Sequence, residues 1–124
     1  MASMNMVFLI GRLASDPELR YTPGGTAVAD FRIAVDRFRG RDETGEKQTD
    51  FFKVVVWSKL AELCSKYLSK GRMAAVEGRL QSRSYTDRDG VKRTVTEVVG
   101  NNVQFIGGKP ESKADDLADE EIPF

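Results

Sequence analysis

The sequence predicts an all-β fold, a five-stranded barrel with one α-helix between strands 3 and 4, followed by a disordered acidic C-terminal tail. Three observations predict it. The segments 27–36 and 49–57 place apolar residues at every second position, the period of a half-buried strand. Residues 58–68 instead space their apolar side chains as an amphipathic helix does. Residues 107–124 have no apolar periodicity and are rich in small and charged side chains, as disordered segments are.

Length and composition indicate one compact domain with a short appendage. The chain has 124 residues, of which 40% are hydrophobic and 31% are charged, and domains of about 100 residues are common. We therefore expect residues 1–106 to form the domain and residues 107–124 to form a flexible linker and an acidic tip. No apolar run approaches the roughly 18 residues that cross a membrane, and the first residues lack a basic leader, so we expect a cytoplasmic protein.

The first two strands are separated by a turn-rich segment. Residues 4–13 are apolar and favour a strand, whereas residues 15–25 contain two prolines and a glycine pair and favour a connection. The second strand, residues 26–36, alternates apolar and polar side chains. Residues 37–48 are polar and include a turn signal, so we expect a long mobile loop there.

The third strand, residues 49–57, has two faces of different character. One face is entirely apolar and carries Phe52, Val54 and Val56. The other face carries Phe51, Lys53, Val55 and Trp57. Because the ammonium group of Lys53 is costly to bury, we expect this second face to be accessible and the first to pack in the core.

A single amphipathic helix is expected after the third strand. Ser58 is placed to cap its start, and Gly71 lies just beyond its end. Cys64 is the only cysteine, so an internal disulfide is excluded. Since Cys64 lies on the apolar helix face, we expect a buried and unreactive thiol.

Two long strands, residues 72–85 and 92–106, complete the domain. Asp89 and Gly90 supply a tight hairpin turn between them, and Gly100 indicates a bulge. Five strands with one helix between the third and fourth is the arrangement of the OB-fold, which serves oligonucleotide and oligosaccharide binding. The fold alone does not establish a function.

The formal net charge of zero hides an uneven distribution. Residues 1–113 contain all 19 Lys and Arg but only 14 Asp and Glu, a net charge of +5, and the other five acids lie in residues 114–124. A basic body with an acidic tail favours a polyanionic partner for the body. A mildly basic domain with a solubilising acidic end is the plainer alternative.

Aromatic rings alternate with cations on the faces that we place outside the core. The groups are Phe51 and Trp57 with Lys53, Tyr85 with Arg79 and Arg83, and Phe38 with Arg37 and Arg39. Unpaired bases stack on aromatic side chains at about 1–3 kcal/mol per base, while nearby Lys and Arg neutralise the phosphates. The pattern therefore predicts a protein that binds single-stranded nucleic acid.

The same aromatic residues are also compatible with plainer structural roles. Phe51 and Trp57 would be buried if a neighbouring subunit or the helix covers them, and Tyr85 and Phe38 would be ordinary exposed residues. The rings assigned to packing are Phe8, Phe31, Phe52 and Phe105. The chain has no histidine, no phosphate-binding glycine loop and no zinc spacing. We therefore expect no enzymatic activity, no cofactor and no metal.

The sequence resembles the bacterial single-stranded DNA-binding protein family over nearly its whole length. The segments that carry the resemblance are "NMVFLIGRLASDPELRYTPGGTAVADFRIAV", "QTDFFKVVVWSKLAELCSKYLSKG", "VEGRLQSRSYTDRDGVKRTVTEVV" and the terminal "IPF". The resemblance places Phe51, Trp57 and Tyr85 at base-stacking positions, and Phe38 at one in a loop of different length. It also implies a homotetramer of OB-folds wrapped by DNA and a nucleoid-associated location.

The C-terminus combines charge with an apolar end. Its last residues are Asp119, Glu120, Glu121, Ile122, Pro123 and Phe124. We expect Phe124 to enter an apolar pocket rimmed by Arg or Lys on a partner while the acids steer the encounter. The resemblance implies DNA replication, recombination and repair proteins as those partners, and a solvated tail without a partner is the alternative.

Two other functions are compatible with the predicted barrel. An RNA-binding OB module, such as a cold-shock or translation-factor domain, is the first, and the acidic IPF tip argues against it. A protein-interaction adaptor that binds no nucleic acid is the second, and burial of Trp57 and Phe51 would favour it.

Overall fold

The structure, a computed structural model, describes residues 2–41 and 47–107, without the side chains of residues 38–41 and 47. Its elements are β1 (Val7–Leu13), β2 (Glu18–Tyr21), β3 (Ala27–Arg41), β4 (Lys47–Trp57), α1 (Ser58–Tyr67), β5 (Met73–Thr86) and β6 (Lys92–Ile106). Within these described residues the fold is six strands and one helix. The prediction of an all-β fold with one helix is confirmed.

Five of the strands close into a barrel. β1 pairs antiparallel with β5, and β5 pairs antiparallel with β6. β6 pairs in parallel with β4, and β4 pairs antiparallel with β3. The ring closes because β3 also pairs with the end of β1, where Arg12 lies opposite Ala34 and Leu13 opposite Ile33. The helix α1 lies between the third and fourth strands of this ring, as predicted for an OB-fold.

The segment that we predicted to be a turn-rich connection contains a short strand. β2 pairs antiparallel with β3, from Glu18 opposite Asp30 to Tyr21 opposite Ala27. All four side chains of β2 are exposed. Leu19 and Tyr21 do alternate with Glu18 and Arg20, but four residues are the shortest run that indicates a strand, and the flanking prolines favour a connection.

The loop predicted for residues 37–48 is shorter than expected at both ends. β3 continues to Arg41 and β4 begins at Lys47. The Nε and Nη2 atoms of Arg37 donate hydrogen bonds to the two carboxylate oxygens of Asp50, each at 3.0 Å. Since polar side chains pair across these strands, the ladder extends beyond the apolar alternation that indicated where the strands end.

The hydrophobic core fills the barrel interior and the space under α1. Its largest fully buried side chains are Phe31, Leu13, Ile33, Val54, Val56 and Val76. Phe52 and Phe105 pack against this core and are partly buried. The predicted inner faces of β3 and β4 are therefore confirmed, but the assignment of Phe8 to packing is wrong, because Phe8 is 67% exposed on the outside of β1.

The helix follows β4 without a connecting residue. Trp57 is the residue before the first turn, and no side chain caps the helix start. The predicted cap at Ser58 is wrong, because Ser58 is itself the first helical residue and has φ +58°. This left-handed backbone turns the chain sharply. It fixes Trp57 at the junction of strand and helix.

The β5–β6 hairpin carries the predicted turn and bulge. Gly90 in the turn has φ +81°, and the side chain of Asp87 accepts hydrogen bonds from the backbone N–H groups of Asp89 and Val91, each at 2.9 Å. At the bulge, Gly78 pairs with Gly100, whereas Glu77 pairs with Asn102. A bulge bends its strand and raises the local twist. Beyond the bulge β1 no longer pairs with β5, so Arg79–Thr86 pair with β6 alone.

Candidate nucleic-acid interface

The outer face of the sheet carries three of the aromatic residues that the sequence pattern groups with cations. On β4, Phe51 is 56% exposed and Trp57 is 45% exposed. On β5, Tyr85 is 44% exposed. The predicted accessibility of these rings is therefore confirmed. None of the three is sealed in the interior, the arrangement that would have favoured an adaptor without a nucleic-acid site.

Two of the rings line one open groove. The groove has a volume of about 510 Å³, and its lining includes Arg32, Phe51, Lys53, Arg83, Tyr85 and Glu97. It exists because β4 and β6 pair only at Val54–Val98 and Val55–Val99. Before these pairs the two strands separate, and β5 supplies Arg83 opposite Val95 and Tyr85 opposite Arg93. Rings from β4 and β5 thus share one concave surface with cations from three strands.

Trp57 lies on the same face but outside this groove. Phe51 and Trp57 are six positions apart on β4, which is about 20 Å at the strand rise of about 3.3 Å per residue. Trp57 pairs with Val28 of β3, and Val28 pairs with Arg20 of β2. The face therefore offers a two-ring groove at one end and a single ring at the other, with Arg20 two strands away from that ring.

Charged residues connect the two ends of the face. Arg83 Nε lies 3.0 Å from Glu97 Oε1, and Lys53 Nζ lies 3.9 Å from Glu97 Oε2. On its other side Lys53 Nζ lies 3.9 Å from Asp30 Oδ2, and Arg20 Nη1 lies 2.9 Å from Asp30 Oδ1. We call these five residues the ion-pair chain. Each comes from a different strand, in the order β2, β3, β4, β6, β5.

Several members of this face were not predicted from the sequence. Arg20, Asp30, Arg32 and Glu97 were not among the predicted site residues. Asp30 and Arg32 share the outer side of β3, where Arg32 lies directly opposite Lys53. The alternation of apolar and polar residues in β3 could therefore have placed Asp30 and Arg32 on the outer face. Glu97 could not be placed, because only the β5–β6 register positions it beside Arg83.

The other predicted residues have different locations. Arg79 is exposed on β5, where Nη1 donates a hydrogen bond to Gln81 Oε1 at 3.3 Å. Arg37 does not line the groove, and its guanidinium group is held by Asp50. Hydrogen bonding to Arg37 lowers the pKa of Asp50 and raises the pKa of Arg37.

Some predicted site residues lie outside the described structure. Phe38 and Arg39 belong to β3, but their side chains lie outside the described ones. The predicted tip residues, Asp119, Glu120, Glu121, Ile122, Pro123 and Phe124, also lie outside the described residues.

Metal ligands and membrane spans are two further features that would bear on function. No three His, Cys, Asp or Glu side chains within 2–41 and 47–107 are grouped so that they could hold a metal ion. No helix in this part of the chain is long and apolar enough to span a membrane.

Comparison with known proteins agrees with the geometry of this face. The single-strand binding protein family matches residues 4–106. The chain belongs to this family. It is 55% identical over 104 residues to single-stranded DNA-binding protein 3 of Clostridium acetobutylicum, covering 83% of this chain and 71% of the relative. It is 53% identical over 104 residues to the single-stranded DNA-binding protein of Clostridium tetani, covering 83% and 70%.

A solved structure shows the same fold. The Plasmodium falciparum SSB in complex with single-stranded DNA has a TM-score of 0.77 and 30% identity, over 86% of this chain and 98% of that one. The resemblance to the single-stranded DNA-binding family and the OB-fold are therefore confirmed. Membership of a family that is named for binding also confirms the prediction that the protein is not an enzyme.

Proposed function

We propose that the protein binds single-stranded DNA, with little sequence preference, on the outer face of its sheet. The observation that carries this proposal is the groove in which half-exposed Phe51 and Tyr85 stand beside Lys53 and Arg83. The family membership and the likeness to an SSB in complex with single-stranded DNA support it. The combination of rings and cations in one groove supports single-strand binding, whereas exposed rings alone or cations alone would support it only weakly.

The chemistry of the groove favours single strands over duplexes. Unpaired bases expose π faces that can stack on Phe51 and Tyr85, whereas a duplex stacks those faces on one another. The nearby cations neutralise backbone phosphates without reading base identity. Little sequence preference follows, because every base has a π face and every nucleotide has a phosphate.

Fluorescence anisotropy of labelled oligonucleotides tests this function. We expect oligo(dT) to bind more tightly than oligo(U) and far more tightly than duplex DNA. The log-log salt slope should be about −0.7 per neutralised phosphate. Equal affinity for single strand and duplex would contradict the stacking mechanism, and tighter binding of oligo(U) would favour the RNA-binding alternative.

We propose that the DNA path extends beyond the groove. Trp57 supplies a third stacking surface, and Arg79 supplies a further phosphate contact near the bulge. Phe38, with Arg37 and Arg39, continues the path along β3 from the groove end. Alanine at Phe38 should weaken oligonucleotide binding less than alanine at Phe51, because Phe51 shares one groove with a second ring, Tyr85, as well as with cations. Equal or larger loss at Phe38 would move the centre of the site to β3.

We propose that the protein assembles as a homotetramer, as the family resemblance implied. An exposed apolar row on the outer side of β1 and in the residues just before it supports this. Its members are Met4, Met6, Phe8 and Ile10. Phe8 and Ile10 also line a shallow cavity of about 180 Å³ against β5 and β6. Soluble monomers rarely leave such a row uncovered, and a second copy would cover it.

Light scattering tests the assembly directly. The wild-type protein should have four times the mass of one chain, and Phe8→Glu should reduce that mass by placing a charge in the covered surface. Tyr21→Glu, at an exposed aromatic side chain on β2, is the control and should leave the mass unchanged. A monomeric wild-type protein would refute the tetramer.

We propose that the acidic tip recruits DNA replication, recombination and repair proteins. Ile122, Pro123 and Phe124 form the docking end, and Asp119, Glu120 and Glu121 steer the approach to a basic pocket on the partner. Deletion of residues 122–124 should abolish recruitment and leave the affinity for oligo(dT) equal or higher. Unchanged recruitment would refute the docking role.

The division of labour along the chain is part of the same proposal. We assign DNA binding to residues 1–106 and partner recruitment to residues 107–124. A chain that ends at residue 106 should therefore retain oligo(dT) binding in full. We also propose a cytoplasmic, nucleoid-associated location, because single-stranded DNA arises there during replication and repair.

A further inference from the structure

The ion-pair chain crosses the proposed DNA-binding face from one edge to the other. It begins at Arg20 on β2, passes through Asp30, Lys53 and Glu97, and ends at Arg83 on β5. The groove rings Phe51 and Tyr85 lie to one side of it, and Trp57 lies to the other. Any single strand that contacts all three rings must pass over this chain.

Glu97 is the least accessible member of the chain. Its side chain is 5% exposed, and it is the only buried charged residue in the described part of the protein. Oε1 accepts a hydrogen bond from Arg83 Nε at 3.0 Å. Oε2 is buried without a hydrogen-bond partner among the described residues, and the nearest cation, Lys53 Nζ, is 3.9 Å away. The buried carboxylate is therefore shared by two of the three groove cations, Lys53 and Arg83.

Two carboxylates in an anion-binding face oppose the binding of DNA. The chain contains three cations and two carboxylates, so its formal charge is +1 rather than +3. A phosphate that approaches Arg83 must compete with Glu97, and one that approaches Arg20 must compete with Asp30. Buried ion pairs contribute little net stability in general, so stabilisation of the fold alone is a weak reason for the presence of Glu97.

The same carboxylates also fix the positions of the cations. Arginine and lysine side chains are long, and ordering one against a ligand costs side-chain entropy. Asp30 and Glu97 hold Arg20 and Arg83 through hydrogen bonds before any ligand arrives, and Lys53 Nζ lies between the two carboxylates, 3.9 Å from each. The two arginines are thus ordered in advance, but their charges are already partly neutralised.

We propose that Asp30 and Glu97 are positioning residues that limit the affinity for single-stranded DNA. They hold the cations in register across the face and compete with phosphates for them, so that binding remains reversible. This inference rests on the proposed function, because it requires that single-stranded DNA occupies this face.

The test compares the salt dependence of oligo(dT) binding in wild type, Asp30→Asn and Glu97→Gln. Each variant frees one arginine to neutralise a phosphate, so the log-log slope should steepen by about 0.7. Between about 1 M and 0.1 M salt, the affinity should then rise about fivefold more than in wild type. The control is Glu62→Gln, on the exposed side of α1, which makes the same change in net charge away from the face.

The outcomes separate this inference from the proposed function. If wild-type protein binds oligo(dT) but both variants keep the wild-type slope, or if Glu62→Gln steepens it equally, the carboxylates do not compete with phosphate and the inference is overturned. If wild-type protein does not bind, the proposed function itself has failed. Thermal unfolding shows whether the Glu97→Gln variant folds. If it does not, the salt slope of Asp30→Asn decides whether the inference holds, because the Asp30 carboxylate is 20% exposed and less buried than that of Glu97.

Discussion

Replacing Tyr85 by alanine should weaken oligo(dT) binding by about five- to 150-fold per site. The range follows from a stacking contribution of about 1–3 kcal/mol per base and a tenfold change in affinity per 1.4 kcal/mol. The ring is 44% exposed, so about half of its surface already contacts protein. Removing that half should cost about 1 kcal/mol of folding stability, which a domain with about 5–15 kcal/mol tolerates.

The chain offers a matched control for this substitution. Tyr67 is 46% exposed, nearly the same as Tyr85, but it lies on α1, where its ring centroid is 6.0 Å from that of Phe105. Tyr67→Ala should therefore change stability similarly and leave oligo(dT) affinity unchanged. Anisotropy titrations at one fixed salt concentration measure both. Equal affinities in wild type and Tyr85→Ala, or equal losses in the two variants, would refute stacking in the groove.

Three further predictions concern the fold. Gly78→Ala should destabilise the protein by about 1–3 kcal/mol or more in urea unfolding, because the added Cβ would overlap the carbonyl oxygen of Val99 on β6. Gly24→Ala is the control and should be neutral, because a Cβ there meets only the Thr22 hydroxyl oxygen, at 4.0 Å. Burial raises the pKa of the Cys64 thiol to about 12, so disulfide reagents should modify it only in denaturant, and rapid reaction of native protein would contradict this. The hydrogen bond from Arg93 lowers the pKa of Asp87. The ionised Asp87 should therefore stabilise the fold fully at neutral pH, and this stabilisation should be lost as the pH falls below about 4. Asp87→Asn should remove this loss from thermal unfolding curves recorded at different pH values.

Much of the barrel could be predicted because one-sided burial leaves a period of two in the sequence. Ala29, Phe31 and Ile33 alternate in this way, and all three are buried. On β1 the run from Val7 to Ile10 is apolar at every position, so it has no period of two. Both faces of β1 are then apolar, and the sequence alone does not show which of them packs inside the chain. This is why Phe8 was wrongly assigned to packing.

The ring positions were predictable and the ion-pair chain was not. Lys53 alone indicated which face of β4 is accessible, and the exposure of Phe51 and Trp57 followed from its parity. The prediction was wrong for Val55, which shares that face but is 7% exposed, because Asp30 and Val99 flank it on the neighbouring strands. The contact of Arg83 with Glu97 depends on the register of β5 against β6, which joins residues 14 positions apart. Side-chain pairs of this kind are set by strand register rather than by local sequence. The strand β2 was missed for a different reason, because its alternation spans only four residues between Pro17 and Pro23, whose turn signals outweighed it.

The most direct test of the central claim is the fluorescence of Trp57 during titration with oligo(dT). Trp57 is the only tryptophan in the chain, and it lies on the outer sheet face, half-exposed. Stacking of a base on the indole should quench its emission to a saturable end point, and added salt should reverse the quenching. Duplex DNA at the same nucleotide concentration should leave the emission unchanged. Emission that oligo(dT) does not alter, or that duplex DNA quenches equally, would contradict the account.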